Sequence, residues 1–215
     1  MRRGDPAMHP NPAFRSEPRT RNLTFARERG FGTLSINADQ GPLISHIPFI
    51  LNETGEEAEL HLVRSNPIAR AVTAPTPAVI AVTGADGYIS PDWYAVADQV
   101  PTWNYVAVHL RGTLHPTDHG LMRAQLDKLS GHFEEMLHPK PVWTADKMTK
   151  DVLERMMRQI LPFRFDIAEV HGTWKLGQNK PDAVREAAAR HLNASPVGQE
   201  TALLAALMLG VRTAE

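Results

Sequence analysis

From Tyr105 to Leu114 the chain alternates, with Val106, Val108, Leu110 and Leu114 on one side and Tyr105, His109, Arg111 and Thr113 on the other. A period of two marks a β-strand with one buried face and one wet face. The same reasoning places strands at Phe31 to Ile36 and Leu43 to Leu51, joined as a hairpin through an Asn-Ala-Asp-Gln-Gly turn. Glu59 to Val63 and the apolar run Ala78 to Thr83 add two more, and no long helical crossover separates these early strands. Phe163, Phe165 and Ile167 alternate along a late strand that passes Gly172 and leads to Trp174.

Helical spacing occurs between and after these strands. Arg19 to Arg29 reads as a short helix stopped by Gly30, and Asn66-Pro67 opens another. Met122, Leu126, Leu129, Phe133 and Met136 recur at steps of four and three, an apolar stripe expected to face the core from a helix between about Thr117 and Leu137. Thr149 to Gln159 predicts a further helix. Asp182 to Leu209 predicts two, divided at residues 193–196 by Asn-Ala-Ser-Pro. Four prolines among polar residues in positions 1–18 predict an extended or loose arm, with residues 1–7 a disordered extension. The expected class is mainly β with flanking helices (α+β), built on one principal core.

Composition narrows the chemistry. The absence of cysteine removes disulfides, thiolate zinc sites, iron–sulfur clusters and a cysteine nucleophile together. Lys plus Arg (23) balances Asp plus Glu (24), so no net field draws in DNA. Nowhere do about 18 apolar residues run uninterrupted, and no apolar stretch follows the two N-terminal arginines, so the expected location is the cytoplasm, away from membranes. His115 and His119 have a metal-ligand spacing, but Pro116 interrupts a regular helix and no Cys or Glu completes an obvious site, so no metal is expected.

Five stretches carry candidate chemistry. Val100 to Tyr105, Val-Pro-Thr-Trp-Asn-Tyr, sets Thr102, Trp103, Asn104 and Tyr105 at the mouth of the strongest strand, suited to a planar hydrogen-bonding ligand; the same residues would equally fill a barrel end. Tyr88-Ile89-Ser90-Pro91, followed by Trp93-Tyr94, reads as a loop in which Gly84 and Gly87 permit tight turns and Ser90 offers a hydroxyl. Arg64-Ser65-Asn66-Pro67 joins a guanidinium, a hydroxyl and helix-opening amides, a combination that binds phosphate or merely caps a helix. Ser45-His46-Ile47-Pro48 puts His46 on a strand whose proline cannot donate to the ladder. Trp174 to Asn179 ends the last strand with Lys175 and Gln178 beside an aromatic.

Taken in order, these stretches, with Met8-His9-Pro10, Phe14 and Phe31 to Ser35, resemble the FMN-binding negative transcriptional regulators of the Pai type, from about Met8 to Leu192. The resemblance implies an FMN-binding split β-barrel over residues 8–180 with inserted helices, and a C-terminal helical segment, 181–215, packed on it. It implies a homodimer with FMN at the subunit interface. It implies further that Arg64, Ser65 and Asn66 approach the phosphate while His46, Trp103, Asn104, Tyr105, Lys175 and Gln178 surround the rest of the flavin; Ser90 and Thr102, from the same stretches, complete the candidate set. Ala85 and Gly87 depart from the family's usual Pro and Ala before Tyr88, and Gly177 from its usual Ser.

Three functions fit this reading. The first is a transcriptional regulator or redox sensor; the second is an FMN-dependent oxidoreductase, for which no acid–base pair names a substrate. The third exchanges the ligand for haem, with His46 or another histidine as its axial group. Lys180, Arg185 and Arg190 give the C-terminal segment some positive charge, but Glu186 dilutes it and no helix-turn-helix glycine turn appears, so DNA binding is expected to be weak and salt-dependent.

Overall fold

The computed structural model describes residues 8–211; the extension expected at residues 1–7 lies outside them. Helix α1 (Arg19–Arg29) stops where Gly30 turns to φ +54°, and β1 (Phe31–Ile36) and β2 (Leu43–Leu51) follow as the expected hairpin, registered from Phe31 opposite Pro48 to Ile36 opposite Leu43. Inward-facing Leu34 and Ile36 meet Ile47, Phe49 and Leu51, all buried. Strand β3 (Glu57–Val63) begins two residues before its apolar pattern, and α2 (Pro67–Ala71) opens at Asn66. The chain continues through β4 (Thr76–Ile89), β5 (Thr102–Pro116), α3 (Met122–Glu135), α4 (Lys150–Met157) and β6 (Ile160–Lys175). Helix α5 (Asp182–Leu192), the short β7 (Gly198–Gln199) and α6 (Thr201–Leu209) complete it.

The sheet order is β1-β2-β3-β6-β5-β4-β7, and β1 also pairs with β4, Thr33 opposite Ala81 to Ile36 opposite Ala78. That extra pairing joins the two ends of the run β1 to β4, so six strands close a ring; closure at this size is filled by side chains. Val106, Val108, Leu110 and Leu114 are all buried, as the alternation of β5 requires. The observed class is therefore the mainly β architecture with flanking helices that the pattern predicts.

Contacts divide the described chain into two units. A barrel unit holds residues 23–82 and 109–170; a terminal unit holds residues 8–22, 83–108 and 171–211. In the terminal unit α5 packs with α6 and with the 3₁₀ turn Pro91–Tyr94. Its buried Arg185 donates to Met208 O, Val211 O and the Asp182 carboxylate, which ties the last helix to the one before it.

Three expectations change. The stretch read as a glycine loop, up to Ile89, is strand: Ala85, Gly87 and Ile89 alternate inward, and a Cβ on Gly87 would lie 2.7 Å from Leu192, so this glycine admits a helix rather than making a turn. The arm is anchored: Asn11 Oδ1 accepts from Ala13 N at 3.0 Å, Pro12–Arg15 form a 3₁₀ turn, and Phe14 is buried. Proline suits the first position of such a turn, so it did not prevent packing. The stripe on α3 is also displaced, with Met122, Gln125 and Leu129 buried while Met136 lies beyond the helix end, 54 % exposed. Gln125 takes an inward place because its amide donates to Leu60 O and Phe163 O on the paired strands β3 and β6.

Candidate functional site

In the barrel unit, the chain leaves β3 through Arg64, Ser65 and Asn66. Arg64 N donates to Gln159 O at 2.9 Å and its Nε to Arg158 O at 2.5 Å. The guanidinium is thus anchored by its inner nitrogen, and the two terminal nitrogens remain to meet an anion. Ser65 is exposed beside it. Asn66 uses both ends of its amide: Oδ1 accepts from Ile68 N at 2.8 Å and Nδ2 donates to Ser45 Oγ at 2.9 Å. The first amide of α2 is therefore capped from within, and Asn66 fixes the turn against β2.

His46 is exposed on β2 opposite Thr33, with Nδ1 3.2 Å from Thr33 Oγ1 and its ring stacked over Phe31 at 6.4 Å. Its neighbour Ser45 is the residue that Asn66 holds, so the Arg64 turn is tied to the strand that carries His46, whose own ring lies on the other face of β2.

In the terminal unit, Thr102 opens β5 and Lys175 closes β6, and Lys175 Nζ lies 2.5 Å from Thr102 Oγ1. Trp103 is 46 % exposed and meets Tyr88 edge-on at 6.3 Å. Burial lowers the Lys175 pKa, and nearby Lys180 lowers it further. His9 is lowered by burial first, then by Lys175. Burial is the larger cause in both, and the smaller part comes from the positive charge that the two lysines bring here, which favours a negative or electron-rich group. Burial also raises the pKa of Tyr105, keeping its hydroxyl protonated as a donor.

The remaining candidates serve their own surroundings. Asn104 is 1 % exposed, and its Nδ2 donates to Met208 Sδ at 3.4 Å, which places it beneath α6. Gln178 folds onto its own turn, accepting from Leu176 N and donating to Trp174 O. Ser90 precedes the Pro91–Tyr94 turn without a side-chain capping bond. Lys180, given no role at the site by the sequence reading, lies 4.3 Å over the Tyr94 ring and donates to Gln99 Oε1 at 2.5 Å. Phe14, 6.0 Å from Lys175 Nζ, was visible in the resemblance but carried no assigned role. Nothing local marks Met208 as the partner of Asn104.

Thus Thr102 and Lys175 form one group, with Trp103 on the opposite face of β5 against Tyr88, while Arg64, Ser65 and Asn66 form another in the barrel unit, with His46 on the adjoining strand. The first supplies a cation and a hydroxyl; the second supplies a fixed guanidinium beside a serine. Among the described residues no cluster of three His, Cys, Asp or Glu could hold a metal, and no helix is long and apolar enough to cross a membrane.

The family model described as "Putative FMN-binding domain" matches residues 8–169. The chain is 28 % identical over 159 residues to protease synthase and sporulation protein PAI 2 of Bacillus subtilis (strain 168), covering 73 % of this chain and 75 % of that one. Among solved structures, it is similar to the FAD and heme binding protein from Mycobacterium smegmatis, with TM-score 0.55, 20 % identity and coverage of 76 % and 74 % of the two chains. It is also similar to the conserved hypothetical protein Rv2991 from Mycobacterium tuberculosis, with TM-score 0.52, 12 % identity and coverage of 79 % and 92 %.

Proposed function

The chain belongs to the FMN-binding domain family, and from that premise we propose that it is a flavoprotein whose output is regulatory or redox-sensing. The observation that carries the reading is the Lys175–Thr102 pair, a cation and a hydroxyl 2.5 Å apart in one place. That pair fits the polar edge of a flavin. In the barrel unit, taken by itself, Arg64 and Ser65 fit a phosphate, with Asn66 holding their turn and His46 on the adjoining strand. Tyr105 adds a donor hydroxyl; Asn104, Gln178 and Ser90 support the segments that carry the contacts. When bound, FMN supplies one- and two-electron chemistry.

The regulatory part of the reading is supported by the likeness to the Bacillus sporulation protein. With 23 basic and 24 acidic residues, output through a protein or small-molecule partner is favoured over broad DNA attraction. A homodimer is part of the proposal: the outward face of β2, β1 and β4 carries Ile44, His46, Phe31, Thr33, Val79 and Ala81 in register, with no acid or lysine among them. Ile44 is 60 % and Phe31 55 % exposed, and a second copy would cover them.

The deciding experiment is the visible absorption spectrum of purified protein before and after FMN addition, with identification of any released chromophore. A bound flavin spectrum and released FMN are expected. A Soret band would replace flavin with haem, and failure to take up either would reject the cofactor reading.

A further inference from the structure

Between α3 and the strands β3 and β6, the barrel unit contains a cavity of about 300 Å³ lined by none of the candidate flavin residues. Its apolar lining comes from Leu121, Ala124 and Pro162. Its charged lining is already paired, Lys128 with Glu59 at 2.6 Å and Arg164 with Glu57 at 3.6 Å.

Gln125 lines the same cavity and is 4 % exposed. Its Nε2 donates to Leu60 O at 2.9 Å and to Phe163 O at 3.1 Å. Turning the amide over would set its oxygen against two carbonyl oxygens, so the strands themselves impose this orientation. Oε1 is buried and accepts no hydrogen bond. Buried acceptors in folded proteins nearly always meet a donor, and here none comes from the described chain. His61, on the same face of β3 as Glu59 but outside the lining, also has a buried, unpartnered Nδ1, and burial lowers its pKa so that the ring stays neutral.

We propose that this cavity binds a small uncharged molecule with an apolar body and one N–H or O–H group donated to Gln125 Oε1. The apolar body matches Leu121, Ala124 and Pro162. An uncharged ligand fits because the two cations and two carboxylates of the lining already face one another and leave no surplus charge to recruit an ion. The site goes beyond the flavin reading, and neither depends on the other.

Indole and 1-methylindole test it, since they share a ring and differ in the single N–H donor. Each is titrated into purified full-length protein and followed by ligand-observed NMR. Indole is expected to bind at least about tenfold more tightly than 1-methylindole, the difference a buried acceptor left without its donor produces. Ala124→Phe, which fills the cavity from an exposed helix position, abolishes indole binding, and Gln125→Leu makes the two probes equal. If Ala124→Phe does not fold, as judged by its melting curve, Leu121→Trp serves the same purpose. Absence of indole binding, equal affinity for the two probes, or unchanged binding in the filled variant overturns the proposal.

Discussion

Arg64 is held by its own backbone and by Nε, so its remaining nitrogens bear on a phosphate without having to be ordered first. Arg64→Ala should weaken FMN by roughly ten- to a hundredfold, the range for a hydrogen bond to a charged group, while leaving riboflavin nearly unchanged. Fluorescence titration with both ligands reads the difference, and equal losses would reject a phosphate role. His61 makes a second residue-level prediction. Burial holds its pKa below the ordinary 6.5, so as pH falls the unfolded chain takes the proton before the native one. Stability present above about 6.5 is then lost progressively as pH drops toward the native value. His61→Gln should flatten the acid side of the melting temperature against pH, and an unchanged slope would remove His61 as its source. At this scale the sequence was a mixed guide. Lys175 was legible as a cation at a strand end. Asn104 looked like a ligand amide, yet its partner, Met208, stands 104 positions away, and no local pattern carries that distance.

Among the elements, the β1–β2 hairpin and the inward face of β5 match their hydrophobic spacing, while α1 was readable from its stop at Gly30 and the two C-terminal helices from their Ala, Leu and Glu content and the break at 193–196. The far half of β4 was not, because Gly84, Ala85 and Gly87 offer almost no side-chain pattern, and the need for glycine arises from α5 and α6 far along the chain. A comparable constraint joins β5 to β6. A Cβ at Gly112 would stand 1.9 Å from Asp166 O, a backbone atom that cannot turn aside. Gly112→Ala should therefore force the two strands apart and destabilise the protein by several kcal/mol, of order the larger single-site losses. Urea unfolding checks this. Gly131→Ala, in α3 with nothing within 4 Å of the added Cβ, should be neutral or stabilising by about 1 kcal/mol from helix propensity.

For the whole molecule, the fold class was legible because strand periods dominate and the family resemblance ran through most of the chain. The division of contacts into two units was not, since each unit gathers segments distant in sequence. The proposed dimer is tested at this level: Ile44→Lys, at a position 60 % exposed, leaves the barrel interior untouched but puts a charge into the uncharged face. Sedimentation should show a shift from dimer to monomer with an unchanged far-ultraviolet circular dichroism spectrum. A variant that sediments as the parent does would move the interface elsewhere.

The pairing of β1 with β4 also governs how this protein can stick to itself. Because the ring of six strands closes, β1 has a neighbour on both sides from Thr33 to Ile36 and offers no open row of amides there for a stranger's strand to extend. Self-association through that part of the barrel is therefore a contact of side chains, reversible by charge, rather than templated growth of a ribbon. Amide hydrogen exchange from Thr33 to Ile36 should then be the same at concentrations above and below any dimer transition.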